Sequence, residues 1–268
     1  MNRLFSLAQL MALPFTPPQM LRLAAQTGCA AAGIRLLPAA PGGVAHNLMA
    51  DVVMLRETKA VLANTGVGVF DLEVIRLNEH FELRDFMPFM DVGAQLSAAH
   101  ILVAGDDPDE ARTTANFAAL CAAAARFGLT CDLEFMPWTG VPNLRAAKRI
   151  VAAAAQPNGG VLVDALHFAR SHSQLDELDD VPRAWLHYAQ MCDGAVPGPS
   201  TREGLIFDAR CERLLPGEGG IALRELFAHL PSDLPISIEV PSESRAPVLG
   251  YGEWARRAKA MTLQVLGG

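Results

Sequence analysis

The sequence predicts an α/β fold, a (β/α)8 barrel in which residues 1–268 form one domain. Three observations carry this. The chain's 268 residues match the roughly 250 that such a barrel takes. Eight short apolar runs alternate with longer stretches of helical period, which calls for parallel strands joined by right-handed crossovers. No run is followed by G-x-G-x-x-G or G-x-x-x-x-G-K-[ST], which counts against the runner-up, an open doubly wound sheet.

The first strand is placed at residues 4–8. Its surroundings mimic a signal peptide, with Arg3 ahead of apolar residues, but Gln9 interrupts the stretch and no A-x-A site follows Pro14. A helix at 18–27 is opened by Thr16-Pro17-Pro18 and closed by Gly28. Strand 32–36, helix 51–64 with Gly66 behind it, strand 67–74 and helix 83–98 come next. Strand 100–104 leads into helix 109–127, which Asp106-Asp107-Pro108-Asp109 opens and Gly128 closes. The later pairs are strand 129–134 with helix 141–155, strand 160–164 with helix 173–179, strand 185–192 with helix 222–230, and strand 236–240 with helix 251–266. Residues 194–220, rich in Pro, Gly and Arg, are the one long irregular stretch, read as a loop over the strand ends.

Composition narrows the function classes. A hydrophobic share of 51% suits a buried parallel sheet wrapped in Ala-rich helices. A net charge of −7 counts against a nucleic-acid partner, because such proteins present a basic face. The five cysteines form no CxxC pair, which reads as reduced thiols in a cytoplasmic protein. No apolar run nears the ~20 residues that span a bilayer. The partner expected is a small molecule, with a homodimer as the default assembly.

Four late strands finish on residues able to hold a metal: Glu134, Asp164, Gln190 with Asp193, and Glu239. In a barrel these ends converge on one face. A buried carboxylate needs a partner or a cation. Three carboxylates and an amide oxygen form an all-oxygen set that suits Mg²⁺ or Mn²⁺. Each residue also has a plainer use: a strand-end Glu can pair with a loop Arg, Asp164 can cap the next helix, and Gln190 can be a core amide. His187, at an odd offset from Gln190, falls on the opposite strand face. His46, His80, His100, His172 and His229 show no spacing that suggests a site.

Five segments in order carry a resemblance: Leu133-Glu134, Val163-Asp164-Ala165-Leu166-His167-Phe168-Ala169-Arg170, Gln190-Met191-Cys192-Asp193, Arg213-Leu214-Leu215-Pro216-Gly217-Glu218-Gly219 and Ser237-Ile238-Glu239-Val240-Pro241. Together they resemble the sugar phosphate isomerase/epimerase superfamily, the xylose isomerase-like TIM barrels. The resemblance implies one divalent metal ion held by Glu134, Asp164, Gln190 and Glu239. It implies Glu134 and Glu239 as the catalytic pair that removes and returns a proton through an enediolate, with His167 beside the substrate as hydrogen-bond donor or proton shuttle. Arg213 resembles the arginine ahead of the PG-x-G loop that contacts substrate oxygen or an anionic group. By position, Arg35 and Glu73 are further substrate-binding candidates, or else a rim ion pair. The superfamily's sugar epimerases have histidine where this chain has Gln190, which disfavours Zn²⁺ and favours Mg²⁺, Mn²⁺ or Co²⁺. Glutamine there also resembles bacterial dehydroshikimate dehydratases. A metal-dependent lyase of the dehydroshikimate or inosose dehydratase type is therefore the alternative to an isomerase or epimerase. An endonuclease IV-type repair enzyme would need more histidines than Val103-Ala104-Gly105-Asp106-Asp107 and the Glu212-Arg213 region offer. A non-catalytic barrel would break the ligand set, and all of it is present.

Overall fold

In the computed structural model, which describes residues 3–267, eight parallel strands close into a barrel in sequence order, with the first hydrogen-bonded to the last. They are β1 (Phe5–Leu7), β2 (Ala31–Arg35), β3 (Gly68–Leu77), β4 (His100–Gly105), β5 (Thr130–Glu134), β6 (Gly159–Asp164), β7 (Ala189–Met191) and β8 (Ile236–Ile238). The crossovers run through α1 (Pro17–Gln26), α2 (Val52–Thr65), α3 (Met87–Gln95), α4 (Glu110–Ala125), α5 (Leu144–Ala154), α6 (Ala165–Arg170), α7 (Asp176–Asp179), α8 (Arg202–Cys211) and α9 (Leu223–Ala228). Two last helices, α10 (Ala246–Leu249) and α11 (Tyr251–Val265), follow β8. No helix among the described residues is long and apolar enough to cross a membrane.

Alternation along the strands sorts side chains between two cores. On β4, Ile101 and Val103 face the helices and join the large outer core, while Leu102 and Ala104 join a smaller cluster with Phe70, Leu162 and Tyr188. That inner space also holds polar groups, and glycines make room for them. A Cβ on Gly33 would collide with the Asp71 carboxylate, and one on Gly160 would lie 2.7 Å from His187 Nδ1.

Helix starts follow the expected chemistry. Gln19 accepts from the Thr16 N–H at 2.8 Å, and the Asp109 carboxylate accepts from the Arg112 N–H at 3.0 Å. Gly28, Gly66 and Gly128 all take the left-handed conformation behind their helices.

Several expected bounds are corrected. β1 stops at Leu7 and gives way to a 3-10 turn over Gln9–Ala12. The expected helix 83–98 is a 3-10 turn, Leu83–Phe86, followed by α3, because Pro88 starts a new first turn. β3 runs on to Leu77 through a register shift between Leu72 and Ile75. The helix after β6 begins at Ala165 rather than 173, because the Asp164 carboxylate caps it at once. Residues 185–192 contain only the short β7, preceded by a 3-10 turn over Arg183–Trp185. Residues 194–220 are not irregular throughout: Thr201 accepts from the Gly204 N–H at 3.1 Å and opens α8.

Toward the N-terminal end of the barrel, two histidines join Asp132 in one network. His187 Nδ1 lies 2.7 Å from Asp132 Oδ1. The Thr130 hydroxyl donates to Asp132 Oδ2 at 2.7 Å, so its oxygen accepts from His100 Nδ1, also at 2.7 Å. The two imidazoles stack at 6.0 Å. His187 thus reaches into the barrel, contrary to the offset argument, because it precedes the regular strand; His100 does have a partner set.

Candidate active site

Glu134 ends β5, Asp164 ends β6 and Glu239 directly follows β8, so barrel closure brings together three residues distant in sequence. One oxygen from each lies within 4.8 Å of the others, and all three side chains are buried. Such crowding needs compensation. Arg213, itself 2% exposed, supplies part of it, with guanidinium nitrogens 2.6 Å from Asp164 Oδ2 and 2.9 Å from Glu239 Oε2. Its Nε donates to the Ala209 carbonyl at 2.8 Å, which fixes the fork. Were all three carboxylates ionised, the one guanidinium would leave two negative charges uncompensated.

That imbalance shows in the titration of each group. Burial, then the Glu239 and Asp164 charges, hold the Glu134 carboxyl well above the usual range. Burial pushes Glu239 up to about 7, with Arg213 opposing. Asp164 stays below its ordinary value: burial works against ionisation, and Arg213 and His167 outweigh it. His167 falls to about 4, chiefly through burial, and is a neutral imidazole at neutral pH. Its Nε2 stands 3.7 Å from Glu134 Oε1, while its Nδ1 has no hydrogen-bond partner. Its ring packs T-shaped against Trp138, with centroids 5.2 Å apart.

Gln190 sits in β7 between Asp164 and Ser237 in register, fully buried, with neither amide atom hydrogen-bonded. A buried primary amide with both ends unanswered is costly unless it meets a ligand. The donor set fits a hard divalent cation: three carboxylates, a free amide oxygen and, with all three ionised, two excess negative charges.

Above the carboxylates lies a cavity of about 200 Å³. Glu134, Glu239, His167 and Arg213 line it, as does Arg35. Asp164 and Gln190 are not among its lining residues. Nor is Glu73, which is bound to Arg35 Nε at 2.9 Å and to the Gln9 N–H at 2.9 Å. Glu73 thus forms a buried ion pair with Arg35. Asp193 also lies apart from the cluster. Its carboxylate accepts the backbone N–H groups of Gly194, Gly217, Gly219 and Ile221 at 2.8–3.2 Å, tying down the PG-x-G loop beyond Arg213. Asp164 serves twice, as helix cap to the His167 N–H at 2.9 Å and as one of the three clustered carboxylates. The sequence reading missed Trp138, Arg76 and Arg210 on the cavity wall. Only the Thr201 cap, which announces α8, could have signalled Arg210.

A family model described as xylose isomerase-like TIM barrel matches residues 21–261. No curated protein matches the chain. Among solved structures, a xylose isomerase-like TIM barrel/4-hydroxyphenylpyruvate dioxygenase fusion protein superposes with a TM-score of 0.83 at 19% identity. That match covers 99% of this chain, which spans only 43% of the fusion protein. The IolI protein with a binding zinc atom gives a TM-score of 0.81 at 18% identity, with 98% of each chain covered. D-allulose 3-epimerase from Methylomonas sp., in complex with D-allulose, gives 0.69 at 16% identity, again with 98% of each covered. At these identities the likeness to solved structures is one of fold.

Proposed function

The chain belongs to the xylose isomerase-like TIM barrel family, and on that premise we propose that it is a divalent-metal-dependent isomerase or epimerase of a sugar or related polyhydroxy carbonyl compound. The observation that carries this is the trio Glu134, Asp164 and Glu239, set against one guanidinium beside an unpartnered Gln190 amide. These four residues would hold the ion, and their oxygen-only donors favour Mn²⁺, Mg²⁺ or Co²⁺ over Zn²⁺. When bound, the ion polarises a substrate carbonyl and acidifies the neighbouring C–H.

The chain's own residues do the rest. Glu134 and Glu239 both line the cavity, so one can take a proton from substrate carbon while the other returns one. The substrate passes through an enediolate between these steps. Neutral His167 has a free Nδ1 and stands against Glu134, where it donates to a substrate oxygen or relays the proton. Arg213 acts through the carboxylates: it fixes the fork between Asp164 and Glu239. Trp138 and Met136 line the same cavity and would shield a substrate there from water.

The second reading is a lyase of the dehydroshikimate or inosose dehydratase type. The same proton leaves carbon, and a β-hydroxyl then departs as water with formation of a C=C bond. Gln190 favours it, through the dehydratase resemblance. Metal content and ion-dependent melting of the wild type and Glu239→Gln test the site. Ketoses, inososes and 3-dehydroshikimate with Mn²⁺ or Mg²⁺ then separate the reactions. Stoichiometric metal lost in the variant supports the reading; no metal and no stabilisation by any divalent ion overturns it.

A further inference from the structure

Four arginines line the cavity: Arg35, Arg76, Arg210 and Arg213. Three are committed. Arg35 is held by Glu73, Arg76 by both oxygens of Asp106, and Arg213 by Asp164 and Glu239. Arg210 is the exception: among the described residues it has no carboxylate within 4.0 Å and its guanidinium donates no hydrogen bond. It is half-buried near the end of α8, where the cavity adjoins two further hollows. Its surroundings make this costly, since burial and the like charges of Arg76 and Arg35 act against its charged form, with the Asp106 charge opposing them in part. A guanidinium kept in that position without an internal partner is arranged for an external one.

The lining that Arg210 shares with the carboxylates says what kind of molecule this is. Leu10, Leu13, Val74, Leu102 and Met136 give the cavity an apolar side without side-chain donors or strong acceptors, on which the Trp138 indole N–H is a single unpartnered donor. A chain of hydroxyls laid along that apolar side would go largely unanswered, so a compact substrate with few hydroxyls fits it better. We infer that the substrate is a compact hydroxy-carbonyl acid whose anionic oxygen group is received by Arg210, while its hydroxy-carbonyl end meets Glu134 and Glu239. This rests on the reading of the site given above and adds its substrate class. The anion is a planar carboxylate, which a single guanidinium grips with two parallel hydrogen bonds; phosphate shares the charge but calls for more donors than one free arginine provides.

Binding measured by calorimetry in the presence of EDTA tests the anion site apart from any metal. The probes are quinate (a hydroxylated cyclohexane carboxylate), neutral myo-inositol and inorganic phosphate, each with the wild type and Arg210→Met. Quinate is expected to bind, and to bind roughly tenfold to a hundredfold more weakly to the variant, as befits loss of a charged hydrogen-bond pair. Myo-inositol and phosphate are expected to bind more weakly than quinate and to show no difference between the proteins. Arg210→Met is expected to melt no lower than the wild type, because no internal partner is lost. Equal quinate binding by both proteins overturns the inference, as does inositol or phosphate binding as tightly as quinate. A variant that melts several degrees lower also overturns it, since Arg210 would then be structural. If quinate binding follows Arg210 but no divalent ion binds the wild type, the anion site stands and the metal-dependent reading falls.

Discussion

The two ends of the barrel each gather three side chains of metal-ligating type with ligand atoms within 4.8 Å: His100, Asp132 and His187 at one end, Glu134, Asp164 and Glu239 at the other. By residue type the histidine cluster is the more obvious site. Hydrogen bonding reverses that impression. At the N-terminal end the atoms meet one another at 2.7 Å from His187 to Asp132 to Thr130 to His100. His187 and Asp132 are closer than the ~3.3 Å between ligands around a tetrahedral ion, His100 Nδ1 stands 3.6 Å from Asp132 Oδ2, and Asp132 is answered on both oxygens. At the C-terminal end Arg213 answers two carboxylates, and Gln190 and His167 Nδ1 are left open. A network closed on itself stabilises; a network open in charge and hydrogen bonding is shaped for something that comes and goes.

The largest effect separating the two ends is expected from Glu239→Gln, which keeps the shape and removes one charge. Turnover on the identified substrate should fall about 10³-fold with the fold intact; a variant retaining a tenth of the activity would break the contrast. Next in size, Asp132→Ala should strand two imidazoles and cost on the order of 3 kcal/mol, lowering Tm by roughly 6–10 °C. Turnover per folded molecule should stay the same, and a variant that melts normally but loses activity would reverse the roles of the two ends. Metal titration followed by elemental analysis should give one equivalent, unchanged in His187→Gln. A second equivalent that disappears in that variant would make the N-terminal cluster a metal site too.

The smallest effect is one of pH. Burial works against a charged His187, but the Asp132 carboxylate outweighs it and raises its proton affinity. A raised folded-state value contributes stability that is complete below the ordinary histidine value of ~6.5 and is lost as pH rises through the raised one. The wild type should therefore lose on the order of 2 °C in Tm relative to His187→Gln between pH 6 and 8. Parallel curves would mean that His187 is neutral throughout.

The same contrast marks what was legible in the sequence. Strand ends that stop on Glu134, Asp164 and Glu239 are readable because a parallel barrel sends all such ends to one face. His100 and His187 were not, since their meeting depends on Asp132 and on the turn before β7 turning a side chain inward. Arg210 was hidden twice: its helix lies in a stretch whose prolines and glycines read as loop, and its lack of a partner shows only after Glu73, Asp106, Asp164 and Glu239 have each taken another arginine.

The pairing of Phe5 with Ile236 has a consequence for how the molecule comes into being. At ~5–20 residues per second, β8 leaves the ribosome roughly 10–50 s after β1. For that interval the sheet is an unclosed ribbon with two bare rims, the state most prone to sticking to its neighbours. The strand that ends the hazard is followed directly by Glu239. Sealing the ribbon and completing the acidic trio are one event, so a chain interrupted before residue 236 is at once adhesive and inert.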